Sequence, residues 1–125
     1  GEYILTGEDV LEGRRFNDAI GRCSYVIDIH DSTGSRGRLE KIRGLFYDIP
    51  YRSLIPIKVE NLLIAGRCIS CDHIAHGSVR IIPPCYATGE AAGVAAALSI
   101  QRNETPRNLD ITLLRETLIK QGAIC

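Results

Sequence analysis

The densest set of reactive side chains lies between Cys68 and His76, where CISCDHIAH places two thiols and two imidazoles within nine residues. That many soft and borderline ligands raises a zinc site. A single residue between the Cys pair and the His pair, however, leaves the chain too little room to wrap a tetrahedron. Asp72 stands where a c-type haem attachment needs histidine directly after CxxC. A thiol redox pair would want its CxxC at a helix N-terminus with a depressed thiol pKa, which the local sequence does not clearly provide. No metal is expected, and packing or turn roles for the two cysteines remain the default.

Elements on either side must hold this polar turn in place. Upstream, Leu62 to Ala65 are apolar and too few for a helix, and they sit between Asn61 and Gly66, so they read as a buried strand closing in a glycine turn. Downstream, Pro83 and Pro84 suit the start of a helix, where the missing N–H is not needed, and Ala87 to Ile100 read as helix. In it Gly89, Gly93 and Ala97 form a row four residues apart, with Ala92 and Ala96 beside them. Each helical glycine costs roughly 1 kcal/mol relative to alanine, so stability is given up for close approach. What approaches is either a tightly packed strand or helix, or a cofactor whose anionic or electron-rich part meets backbone amides and a helix dipole.

The blocks YDIPYRSLIP (47 to 56), NLLIAGRCIS (61 to 70), HGSVRIIPPCYATGEAAGVAAA (76 to 97) and TPRNLDITLLRETLIKQGA (105 to 123) together resemble the C-terminal part of the FAD-dependent oxidoreductase family. The likeness runs from about Arg15 to Ala123, and its weight comes from the order and spacing of several blocks. Such flavoproteins resemble one another in an N-terminal strand, GxGxxG and helix that hold the ADP half of FAD, and no GxGxxG occurs in this sequence. The resemblance therefore implies an incomplete FAD-binding fold. Its partner would be a missing N-terminal FAD-binding portion of the parent chain, and its substrate a small molecule.

The resemblance also implies roles. Gly66 and Arg67 would lie near the ribityl and pyrophosphate part of FAD, with Arg67 able to pair with phosphate. Ser70, His73, His76 and Ser78 would occupy the turn facing the isoalloxazine or substrate, and either histidine could move a proton near neutral pH. Arg80 would stabilise negative charge on reduced flavin or on an acidic substrate. Gly89, Ala91, Ala92 and Gly93 would bring a helix N-terminus toward the flavin pyrimidine edge. His30 and Asp31, in VIDIHD, would point toward the substrate side.

Composition fits a soluble globular chain, at 125 residues, 45% hydrophobic and 24% charged. Fifteen basic and fifteen acidic residues cancel, which removes the overall electrostatic case for nucleic acid or an anionic membrane surface. The longest apolar stretch, around residues 91 to 100, falls far short of the ~20 residues that span a bilayer. Five cysteines are an odd number for a secreted disulfide framework, and cytoplasm is the default. The absence of methionine suggests a cut or processed piece.

The remaining elements read as mixed α/β. Asp9 to Leu11 and Asn17 to Ile20 could each form a short helical turn. Tyr25 to Ile29 reads as a strand, residues 31 to 44 as an exposed loop or hairpin connection, and Leu45 to Ile49 and Arg52 to Ile57 as short β runs. Asp110 is a good N-cap for a helix over Ile111 to Gln121, with Lys120 favouring its C-terminal dipole and Gly122 its stop. Residues 1 to 57 then make a partial substrate-side β layer with short helical turns, and residues 58 to 125 the strand, glycine turn and two helices of an FAD-binding domain. A strand apolar on both faces wants a parallel sheet, so the missing neighbours lie in another portion of the parent chain or in a second copy. The leading expectation is one face of a flavin oxidoreductase site, inactive in isolation. A non-catalytic assembly module, and a small metal or thiol-redox domain, are the rivals.

Overall fold

A computed structural model describes residues 1–30 and 36–125. Among the described residues the architecture is mixed α/β, as expected: four α-helices and two small antiparallel sheets of two strands each. Helix α1 (Gly7–Glu12) begins in a reciprocal cap, with Asp9 N–H donating to Thr6 Oγ1 at 3.2 Å and Thr6 N–H to Asp9 Oδ2 at 3.0 Å. Gly13, at φ +65°, closes it in the left-handed conformation.

Strands β1 (Ala19–Cys23) and β4 (Tyr47–Pro50) pair from Ala19 opposite Pro50 to Cys23 opposite Tyr47, with a bulge between Ala19 and Gly21. Strands β2 (Ile27–His30) and β3 (Arg36–Glu40) form a hairpin, so the connection expected over 31 to 44 contains a strand. Asp31, paired in the sequence reading with His30, lies outside the described residues. Tyr47, Ile49, Ile20 and Ile27 are buried and make the core beneath the sheets.

Two short readings are corrected. Asn17 to Ile20 is a turn entering β1 and not a helical turn, because Ala19 and Ile20 are claimed by the ladder and the core. Arg52 to Ile57 is not a strand. Residues Tyr51–Leu54 coil into a 3₁₀ turn around Asp18, whose carboxylate accepts from Arg52 N–H at 3.2 Å and Nε at 2.9 Å while Tyr51 N–H donates to the Asp18 carbonyl at 2.8 Å.

A third correction concerns Leu62 to Ala65. This segment joins no sheet, and Leu62 is 43% exposed. One backbone bond, from Ile64 N–H to the Leu54 carbonyl at 2.8 Å, ties it down. A strand exists only through its ladder, and no described residue of this chain supplies a parallel neighbour. The segment runs into a 3₁₀ turn, Gly66–Cys68.

The expected polar turn is a helix, α2 (His73–Val79). Asp72 caps it, accepting from Ala75 N–H at 2.7 Å, and its second oxygen accepts from Gly7 N–H at 2.9 Å, so one carboxylate pins the starts of α1 and α2 together. Helix α3 (Ile82–Arg102) extends the expected helix at both ends, with Pro83 and Pro84 inside its first turn. Pro84, Thr88, Ala91, Ala95 and Ser99 form its buried face, and Asn103 at φ +54° ends it. Helix α4 (Ile111–Lys120) matches its prediction: Asp110 accepts from Thr112 N–H at 2.8 Å, and Leu114 and Leu118 are fully buried. No described helix is long and apolar enough to cross a membrane.

Candidate functional site

Helix α2 lies against β2, and Gly77 is what permits it. A Cβ there would stand 2.9 Å from Ile29 Cγ1, closer than real Cβ contacts come, and 3.2 Å from the Asp28 carbonyl oxygen, tighter than most. On the same side of α2, His73, His76 and Arg80 follow at three- and four-residue steps. Opposite them β2 presents Asp28 and His30, with His30 Nε2 3.4 Å from Asp28 Oδ2. A small cavity of about 110 Å³ between the two elements is lined by Asp28, His30, His73, His76, Gly77 and Arg80. The three histidines of the chain thus share one groove.

A larger cavity of about 460 Å³ adjoins it, sharing Asp28 and Arg80 and adding Tyr25, Arg67, Ile81, Ile82 and Pro83. Arg67 Nε donates to the Arg80 carbonyl at 3.1 Å, and Arg80 Nη2 donates to the Asp28 carbonyl at 3.1 Å. Through these two bonds the 3₁₀ turn, the end of α2 and β2 are held in series. Neither guanidinium meets a carboxylate among the described residues, so both charges face the cavity uncompensated.

Thr88 joins the glycine turn to α3. Its Oγ1 accepts from Gly66 N–H at 3.0 Å and donates to the Pro84 carbonyl at 2.8 Å. Gly66 sits at φ +69° with no atom within 4 Å of where a Cβ would lie. This tie was missed in the sequence; the only signal was a threonine one residue before Gly89.

The other sequence-selected residues scatter. Ser70 accepts at 2.9 Å from the Gly1 ammonium and lines a separate cavity with Ser53, Leu54 and Cys68. Ser78 is fully buried, hydrogen-bonded with the Tyr47 hydroxyl at 2.9 Å and donating to the Tyr25 carbonyl at 2.6 Å, and so does not face the groove. Burial above all pushes the Tyr47 phenol far up, and the Ser78 bond opposes it only in part. Ala91 is fully buried in the core, Ala92 is half-buried, and Gly89 and Gly93 are exposed with open space around them. The expected tight neighbour of the glycine row is not present among the described residues.

Gly89 to Gly93 also do not form a helix N-terminus. Pro83 and Pro84 are accommodated at the second and third helical positions, so α3 starts at Ile82, seven residues or about 10 Å of axis earlier. In that true first turn the prolines remove two of the amides that would otherwise point at an anion. Burial, then the neighbouring Asp72, pushes the Cys71 thiol up to about 11, opposite to a redox-active CxxC. No group of three or more His, Cys, Asp and Glu among the described residues could hold a metal ion, and all five cysteines are free.

These residues fit a flavin on one side only. The glycine faces of the turn and of α3 are open, and Arg67, bonded to the Arg80 carbonyl, meets no carboxylate among the described residues. Nothing equivalent to a GxGxxG turn is available for the ADP half.

No curated protein and no solved structure matches the chain. A family model described as FAD dependent oxidoreductase matches residues 1–118 of the 125. That coverage, with the glycine turn, the small-residue helix and the adjoining groove all inside it, places this chain in the FAD-dependent oxidoreductase family.

Proposed function

We propose that the chain forms one face of the flavin and substrate site of an FAD-dependent oxidoreductase. The observation that carries the reading is the sharing of Asp28 and Arg80 by two cavities, one bordered by Arg67 and the start of α3 and the other by the three histidines. FAD, when bound, supplies the capacity to take a hydride from a small-molecule substrate. Gly66, Gly89, Ala92 and Gly93 offer it backbone without bulk, and Arg67 pairs with its phosphate. Ser70 borders the turn from the other side, and Ala91 contributes by packing α3. In the groove Arg80 holds negative charge, and His73 or His76 takes or returns the proton.

The ADP half would be gripped by a complementary portion of the parent chain. That portion would pair with Leu62 to Ala65 and cover Tyr86 and Ile100 on either side of the α3 glycines, and the isolated chain would be inactive without it. Five free thiols accord with a reducing, cytoplasmic setting.

The test is to express this chain fused to the coding sequence directly upstream of the Gly1 codon and to measure co-purifying flavin by visible absorbance. A flavin-bearing product that loses its colour on Gly93→Arg supports the reading. A longer product without flavin, or a stop codon immediately upstream, overturns it. The exposed stripe of α3 would then favour an assembly module.

A further inference from the structure

Thr88 is fully buried, and its one hydroxyl meets three partners. The proton goes to the Pro84 carbonyl at 2.8 Å, one turn earlier in α3, with the Cys85 carbonyl at 3.1 Å as second acceptor. With the proton committed inside the helix, the oxygen is left to accept, and the Gly66 N–H donates to it at 3.0 Å.

Little else fixes the glycine turn. Its internal bond, from Ile69 N–H to the Gly66 carbonyl, is long at 3.4 Å. The backbone is next tied at Ile64, to the Leu54 carbonyl, and at Ser70, to the Ser53 carbonyl. Between those ties Gly66 has the one backbone amide that bonds outside the turn, among the described residues. At φ +69° Gly66 makes the corner, and Thr88 holds that corner against α3. The next residue is Arg67, whose Nε donates to the Arg80 carbonyl at 3.1 Å and which borders the larger cavity beside Ile82 and Pro83 of α3.

We propose that Thr88 is a positioning residue of the flavin site: by holding Gly66 against α3, it fixes where Arg67 stands relative to that helix. The inference rests on the flavin reading, within which it says what the glycine turn supplies. With the Gly66 amide occupied by Thr88, the turn offers a phosphate the side chain of Arg67 and not that N–H.

Nitrogen-15 NMR of the 125-residue chain tests this without flavin. Thr88→Val, close in volume and without the hydroxyl, should move the Gly66 amide proton upfield, as release of a hydrogen bond does. The Arg67 Nε–H signal should move with it toward that of free arginine, while the Val10 amide, on α1, stays in place. Thr88→Ser, which keeps the hydroxyl, should leave all three where they are. Should Thr88→Val not fold, Thr88→Ala removes the hydroxyl without setting a methyl group against the Pro84 carbonyl. In the longer, flavin-bearing product, Thr88→Val and Arg67→Gln should each weaken FAD by at least about tenfold, as expected for one lost charge-assisted hydrogen bond. The double variant should lose no more than either alone, because one residue acts through the other.

A displaced Gly66 signal with Arg67 unmoved would overturn the positioning of Arg67, and a Thr88→Ser variant that behaves like Thr88→Val would overturn the part given to the hydroxyl. Losses that add in the double variant would overturn the route through Arg67. A longer product without flavin would remove the flavin reading instead, and the signals of Gly66 and Arg67 would still decide whether Thr88 sets the turn.

Discussion

At the scale of single residues, carboxylates organise the chain more than its cysteines do. Asp72 caps α2 while holding α1, Asp18 winds the 3₁₀ turn after β4, and Asp9 closes the cap of α1. Asp9 is buried, and burial alone would raise its carboxyl pKa. The Thr6 N–H, the Arg14 guanidinium at 2.6 Å, the Tyr3 hydroxyl at 2.8 Å and the Thr6 hydroxyl together outweigh that effect and hold it below the ordinary 3.8. A carboxyl lowered by folding stabilises the fold above its unfolded pKa, and the contribution is lost as pH falls through its folded value. Asp9→Asn should therefore cost about 1–3 kcal/mol at neutral pH. The gap between the two urea midpoints should narrow steadily below about pH 3.8. A gap independent of pH would mean that shape rather than charge sets the role of Asp9.

At the scale of elements, the groove depends on how closely α2 approaches β2, and Gly77 sets that distance. An alanine Cβ at 2.9 Å from Ile29 Cγ1 and 3.2 Å from the Asp28 carbonyl requires the Ile29 side chain to turn aside and the strand backbone to give by a few tenths of an ångström. Gly77→Ala should destabilise the chain by about 1–3 kcal/mol, read from chemical unfolding. It should also displace the ring signals of His30, His73 and His76 together, since all three share the cavity that the shift would reshape. Movement of one histidine alone would show that the two elements are not coupled through this contact.

This contact also marks where the sequence was readable and where it was not. Helix α4 carries its own signals, an aspartate cap, a spaced apolar face and a terminal glycine, and it appears where they point. Helix α2 has a cap just as good in Asp72, but at seven residues, His73–Val79, it is too short to carry a clear apolar periodicity. The start of α3 was misplaced because proline is tolerated anywhere in a first turn, so a pair of prolines bounds a helix only to within a few residues. Leu62 to Ala65 has strand composition but no ladder, and composition cannot reveal whether a neighbour exists. His73, His76 and Arg80 were found through the family likeness and do come together. Asp28, their counterpart across the groove, carries no local pattern and became visible only when β2 was placed.

At the scale of the whole molecule, α3 is apolar on two sides and covered on one. Opposite its buried face, Ile82, Tyr86, Gly89, Gly93, Ala97 and Ile100 recur at helical spacing, and Tyr86 and Ile100 are 75% and 82% exposed. A surface helix normally presents charge there; this one presents glycine, alanine and bulky apolar groups. Beside it the Leu62 to Ala65 segment has most of its backbone groups unpaired, the condition in which a strand edge recruits another chain. Each large side chain left in water forgoes about 1.5–3 kcal/mol that full burial would contribute. In the absence of a complementary portion, the readiest cover is a second copy. Sedimentation velocity over rising concentration should accordingly show reversible association of the 125-residue chain. Ile100→Lys and Gly93→Arg should each return it to a monomer, and circular dichroism should be unchanged because both positions face solvent. A complementary strand-GxGxxG-helix polypeptide should compete with self-association, because both would use the same stripe. A monomer at every concentration would remove the second copy as an occupant of this face, and association untouched by either substitution would place the contact elsewhere.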